Sequence, residues 1–171
     1  QQVPETIKGG ATEHNVKKLD DTFQPSKTKL HTYSGVGFNL TKMKPVGISE
    51  SGNKIYHSPA YISSSLDKTT AADFAGYRSQ VQNKTTRPQI IHYETNEGDP
   101  ISVVGNHSAG PEEKEILHPR DSHFEHIGTS IHKDEDGTEY EVHHVRRIQF
   151  DPVKHALHPI KPTPNNPYLK K

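Results

Sequence analysis

Two glutamates one residue apart, Glu113 and Glu115, lie in the run Glu112-Glu113-Lys114-Glu115-Ile116-Leu117-His118-Pro119-Arg120. Residues 114–117 read as a strand that Pro119 closes. Side chains alternate along a strand, so both carboxylates share one face, about 7 Å apart, while Ile116 anchors the other face in a core. Two like charges so placed cost stability unless something uses them. Glycosyl transfer uses them: its transition state resembles an oxocarbenium ion, which a carboxylate beneath the sugar stabilises, and a second carboxylate can orient or deprotonate the nucleophile. On an exposed edge strand the same pair would simply be solvated, and the spacing alone does not separate the two cases.

A second segment, Pro59-Ala60-Tyr61-Ile62-Ser63-Ser64-Ser65-Leu66, places three serines inside a short apolar strand. Buried hydroxyls need partners. Ser63 and Ser65 share a face, from which they could bond a carboxylate and the strand opposite; a serine-rich turn is the alternative. A third segment, His31-Thr32-Tyr33-Ser34-Gly35, begins an alternating strand that runs into a glycine-rich turn.

These segments need elements to hold them. A short helix is expected over residues 16–23, broken by Pro25. Strands are expected from Leu30, on both sides of the turn Ser51-Gly52-Asn53, at 61–66, at 88–93 and at 114–117. Residues 66–77 read as a helix with Leu66, Ala71, Phe74 and Ala75 on one face and Asp67 as N-cap. Residues 126–132 and 140–150 read as a hairpin across Asp134-Glu135-Asp136-Gly137. Residues 94–110 are rich in glycine and asparagine. Five prolines after Asp151 suggest an extended tail. The division expected is a polar segment 1–29 with a possible short helix, one domain over 30–150, and a Pro-rich tail 151–171. Six or seven short strands and one or two helices, without regular strand–helix alternation, point to an α+β class with mainly antiparallel sheets.

Composition narrows the function. Lys+Arg and Asp+Glu both number 21, so there is no electrostatic footprint for nucleic acid or an anionic membrane. With 29% hydrophobic residues the core is modest. There is no cysteine, which excludes disulfides and thiolate metal sites. No apolar run reaches membrane-spanning length and no signal peptide is visible; the start at Gln1 reads as an excised or processed chain. Thirteen histidines invite a metal, but His123 with His126, His143 with His144 and His155 with His158 are pairs with no third ligand in register, so no metal is expected. Gly35-Val36-Gly37 lacks the rest of a dinucleotide fingerprint.

As an ordered trio, the three segments resemble the mono-ADP-ribosyltransferase family, whose signature is an Arg or His strand, an aromatic-x-Ser-Thr-Ser strand and a Glu-x-Glu strand. The small bacteriophage-encoded members are the most similar. Tyr61–Leu66 is similar to the second motif with Ser64 in place of threonine, and Ala72 and Phe74 match the helix that follows it. Glu113–Leu117 with Pro119-Arg120 is similar to the third. The resemblance covers residues 30–150. It implies two packed, mainly antiparallel sheets with few flanking helices, and NAD+ as co-substrate. It implies transfer of ADP-ribose to a protein side chain, arginine where a glutamate stands at the Glu113 position. Glu115 would hold the NAD+ ribose and stabilise its positive charge, Glu113 would position the acceptor, and Ser63 would orient Glu115. Tyr33, Ser34, Gly35, Ser64, Ser65 and Phe74 would contact the cofactor, and residues 94–110 would form part of the nicotinamide- and substrate-facing wall. One departure matters: relatives carry Arg or His where Ser34 stands, and His31 lies on the opposite strand face. Either Ser34 with the backbone of Gly35 binds NAD+, or an arginine reaches in from elsewhere.

The implied partner is an acceptor protein, of the host if the chain is a phage product or a toxin, with neither membrane nor nucleic acid and with a monomeric enzyme. The implied workplace is the cytosol of a bacterial host or the virion, with a secreted toxin as a further option. Two rivals stay open: a catalytically dead module of the same fold, which the missing cation motivates, and a metal-dependent hydrolase built on the histidines.

Overall fold

The computed structural model describes residues 16–36, 40, 43–81, 87–104 and 115–157, without the side chains of residue 74 and residues 76–81. Residues 16–20 are helical (α1). The strands are β1 (Gln24–Pro25), β2 (Leu30–Val36), β3 (Gly47–Ile48), β4 (Lys54–Ser58) and β5 (Ile62–Ser65), followed by helix α2 (Lys68–Val81). Then come β6 (Gln89–Thr95), β7 (Pro100–Val104), β8 (Glu115–His118), β9 (Ser122–Lys133) and β10 (Glu139–Ile148).

The strand order is β1-β7-β8-β5-β2-β6-β10-β9-β4-β3. All pairs are antiparallel except β6 with β10. The order narrows at one place: β2 and β5 share a single residue pair, Tyr33 with Ser65. This seam divides the strands into a group of four and a group of six. The groups pack on each other where the His118 ring of β8 lies 5.0 Å from Tyr93 of β6 and 5.9 Å from Phe124 of β9. The fold is thus the α+β arrangement of packed, mainly antiparallel sheets with few helices that the sequence suggests.

Two apolar clusters sit on the two faces of the larger group. Leu40, Tyr56, Ile91, Tyr93, Phe124 and Val145 form one, and Ala71, Ala72, Ala75, Ile90, Tyr140 and Val142 the other. The second exists because α2 is alanine-rich where it meets β2. A Cβ on Gly35 would stand 2.3 Å from the Ala71 carbonyl oxygen and 2.5 Å from the Ala75 nitrogen, so helix and strand backbones touch. Asp67 caps the helix as expected, its Oδ1 accepting from the Thr69 amide at 2.9 Å.

Some expectations shift. Leu66 precedes the helix and is 40% exposed, and Ala72 takes its place on the buried face. The stretch 94–110 contains β7, and β9 starts at Ser122 rather than 126, because residues 122–125 pair with β4 and 123–125 with β10 as well. The first residues after Asp151 are not extended. Residues 152–155 turn, the His155 amide bonds the Asp151 carbonyl, and the His155 carbonyl accepts from Ile48 of β3.

Candidate active site

The seam between β2 and β5 opens into a cavity of about 670 Å³, within the range of sites for small molecules (about 300–1,000 Å³). Tyr33, Ser34 and Gly35 of β2, Ser63 to Ser65 of β5, Glu115 of β8 and the start of α2 all line it. The three sequence segments therefore converge on one place, although Ser34, Ser63 and Glu115 are 29 and 52 residues apart in turn.

Strand pairing sets the central contact. Ser65 pairs with Glu115 and Ser63 with Leu117 across β5 and β8, so Ser63, Ser65 and Glu115 share one face. The Ser63 hydroxyl donates to Glu115 Oε2. The Ser63 carbonyl accepts from Ser34 Oγ at 2.6 Å. Ser65 Oγ accepts from the Asp67 amide at 2.9 Å, tying the cleft to the start of α2. Ser64 points the other way: its hydroxyl donates to the Ile116 carbonyl at 2.8 Å and lies 3.0 Å from His118 Nε2, in the core. Tyr33 stacks on His92 with ring centroids 5.1 Å apart.

Glu113 and residues 105–110 lie outside the described residues, as does the side chain of Phe74. The described part of the expected substrate-facing wall, residues 94–104, contributes nothing to the cavity lining. Glu94 is instead held by Lys29 at 3.1 Å and Arg146 at 2.9 Å. The described cavity-lining residues include no lysine or arginine; His57, 3.0 Å from Asp121 Oδ1, is their one basic side chain. Thus no described cation fills the place that Ser34 leaves. Among the described residues no three His, Asp or Glu side chains converge on a point that could hold a metal ion. No helix among them is long and apolar enough to cross a membrane.

Two groups behind and beside the cleft have no site role in the sequence reading. Tyr61 lines the cavity, and its hydroxyl donates to Asp20, which Arg120 also grips, and lies 3.0 Å from the Val16 carbonyl oxygen. Burial and the Asp20 carboxylate push the Tyr61 phenol up to about 12, and the Arg120 guanidinium holds Asp20 below its ordinary value. His118 is fully buried. Burial, with the charge of Arg147 adding to it, pushes its imidazole down to about 4. Strand alternation was the available signal: His118 falls on the Ile116 face, opposite to Glu115.

Residues 2–148 match the ADP-ribosyltransferase exoenzyme family. Solved structures share the fold. Plx2a, an ADP-ribosyltransferase toxin from Paenibacillus larvae, aligns with a TM-score of 0.59 at 18% identity over 85% of this chain and 75% of its own. The enzymatic component C2-I of the C2-toxin from Clostridium botulinum gives 0.58 at 15% identity, over 83% of this chain and 36% of its own. C3stau2 from S. aureus, solved with NAD, gives 0.52 at 16% identity over 81% and 72%. No curated protein matches the chain in sequence. A match spanning most of the sequence, over a cleft where Ser63 and Ser65 of β5 meet Glu115 of β8, places the chain in the ADP-ribosyltransferase exoenzyme family.

Proposed function

We propose that the chain is a mono-ADP-ribosyltransferase that cleaves NAD+ and transfers ADP-ribose to an arginine of a target protein, with Glu115 as its central carboxylate. The observation that carries this reading is the Ser63–Glu115 hydrogen bond in the lining of a cavity of about 670 Å³. As nicotinamide leaves, positive charge grows on the ribose, and a carboxylate fixed in place before the reaction stabilises it without reorganising. Ser63 supplies that fixing, and Ser34 fixes Ser63 in turn. The acceptor guanidinium is always protonated, so it needs a second carboxylate to position it; Glu113, two residues before Glu115, is assigned that part on the family pattern.

The reading extends to an acceptor protein in the cytosol of a target cell, a monomeric enzyme and no metal. Incubation with biotinylated NAD+ and a bacterial lysate, with mass spectrometry of the labelled residues, tests it. Glu115→Gln should abolish labelling and leave the melting curve unchanged. Glu113→Gln should suppress transfer to arginine more than NAD+ hydrolysis, since water needs less help than a guanidinium. Equal labelling by wild type and Glu115→Gln would overturn the assignment.

The serine at position 34 favours a second reading, a binding module of the same fold without activity. Calorimetry decides between them: no heat of binding at millimolar NAD+ supports the module.

A further inference from the structure

Beneath the cleft, on the core side of the strands, three polar residues meet. Thr32 of β2, Ser64 of β5 and His118 of β8 are 0%, 4% and 0% exposed. His118 Nε2 lies 3.0 Å from Ser64 Oγ and 3.3 Å from Thr32 Oγ1. Their protons can be assigned. The single Ser64 proton goes to the Ile116 carbonyl at 2.8 Å, so the contact with His118 must be an Nε2–H donated to Ser64. His118 is then neutral and protonated on Nε2. Its Nδ1 has no partner among the described residues, so taking up a second proton there is unfavourable.

The position of this hub is informative. Strands β2 and β5 share one backbone pair, so the main chain alone holds the seam weakly. Two side-chain contacts add to it: Ser34 to the Ser63 carbonyl on the cleft side, and Thr32 to His118 on the core side. His118 also grips Ser64, the neighbour of Ser63, from the strand that carries Glu115. We propose that His118 is a positioning residue for the catalytic pair: by bridging β2, β5 and β8 through Thr32 and Ser64, it holds the β5–β8 ladder that carries Ser63 and Glu115 in place against β2 across the seam. The inference rests on the assignment of Glu115 made above. A histidine that merely fills the core would need neither the Nε2–H nor its two oxygen partners.

The test compares two replacements of different chemistry. His118→Leu keeps an apolar body of similar size and loses the donor; His118→Gln keeps a donor near the Nε2 position. With His118→Leu, kcat for NAD+ hydrolysis should fall about tenfold or more while KM for NAD+ stays within about twofold, because a misplaced group affects the reacting geometry before it affects binding. His118→Gln should recover most of the loss. Wild-type kcat in His118→Leu, or equal losses in folded Leu and Gln variants, would overturn the proposal. Should His118→Leu fail to fold, Thr32→Val removes only the contact across the seam; it should lower kcat several-fold at unchanged KM, and wild-type kcat in that variant would equally overturn it. Glu115→Gln run in parallel separates the two levels. If that variant is inactive while His118→Leu is fully active, only this inference fails; if Glu115→Gln is itself active, the assignment of the site fails.

Discussion

Ser34 donates its hydroxyl to the main-chain carbonyl of Ser63 at 2.6 Å. The residue that stands where family members carry a cation is thus engaged with the serine that holds Glu115. The bond crosses the seam at the point where the backbone ladder is reduced to one pair. Ser34 therefore ties β2 to β5 through the main chain of Ser63.

Ser34→Ala removes this bond and leaves the Ser63 carbonyl to water. A bond of this kind contributes about 1 kcal/mol, a drop of about 2–4 °C in melting temperature for a domain of this size. The larger effect should be on NAD+ hydrolysis, with kcat reduced several-fold. Thermal melting and initial rates on one preparation check both; a variant with both quantities unchanged would show the bond to be incidental.

Gly35 makes a sharper case. Any side chain there meets the Ala71 carbonyl and the Ala75 nitrogen at 2.3 and 2.5 Å, both main-chain atoms that cannot rotate away. Gly35→Ala must push α2 off β2, and overpacking of this severity costs about 3 kcal/mol. Because Thr70 and Ala71 at the start of α2 line the cavity, activity should fall with stability. Urea denaturation measures the loss, and a change under about 0.5 kcal/mol, the scale of a neutral surface substitution, would contradict the packing described.

The motif strands were legible because their evidence is local: alternation, the serine run, the glutamate spacing and the Asp67 cap are all read within a few residues. What escaped depends on distant partners. β7 begins on a proline within a glycine-rich stretch, and it is a strand because β8 and the two residues of β1 pair with it. The parallel pairing of β6 with β10 leaves no local mark. The prolines after Asp151 mask a turn held by β3 through His155 and Ile48. His118 reads as a residue trailing a motif until Thr32, 86 residues away, is seen to meet it.

The histidines make stability depend on pH. Burial pushes His92 and His118 down to about 4 from 6.5, and lowers His123, His126 and His144 as well. The unfolded chain takes up these protons below pH 6.5, whereas the folded chain resists until about 4. Their contribution is therefore fully present above pH 6.5 and is lost as pH falls towards 4. For fully buried His118 this amounts to about 3 kcal/mol; half-buried His92 contributes less. Melting temperature should fall steadily from pH 7 to 4.5. His118→Leu should flatten that slope. Parallel profiles for the two proteins would show that His118 is not a source of the dependence.

The last prediction concerns Tyr61, which lines the cleft and also clasps α1. Its hydroxyl donates to Asp20 and lies 3.0 Å from the Val16 carbonyl oxygen, Arg120 lies 5.7 Å from its ring centroid, and Phe23 stacks on the ring with centroids 6.0 Å apart. The Asp20–Arg120 pair is partly exposed, so it contributes at most about 1 kcal/mol by itself; the phenol links that pair to the cleft. Tyr61→Phe retains the ring, the stack and the contact with Arg120, and deletes only the donor. The described turn of α1, residues 16–20, leans on these tertiary contacts, so its amides should exchange faster, by up to about tenfold for a loss near 1.4 kcal/mol, while the melting temperature stays nearly constant. Hydrogen exchange resolved over residues 16–20 reads this directly. Unaltered exchange there would mean that packing, rather than the phenol, holds α1 against the cleft.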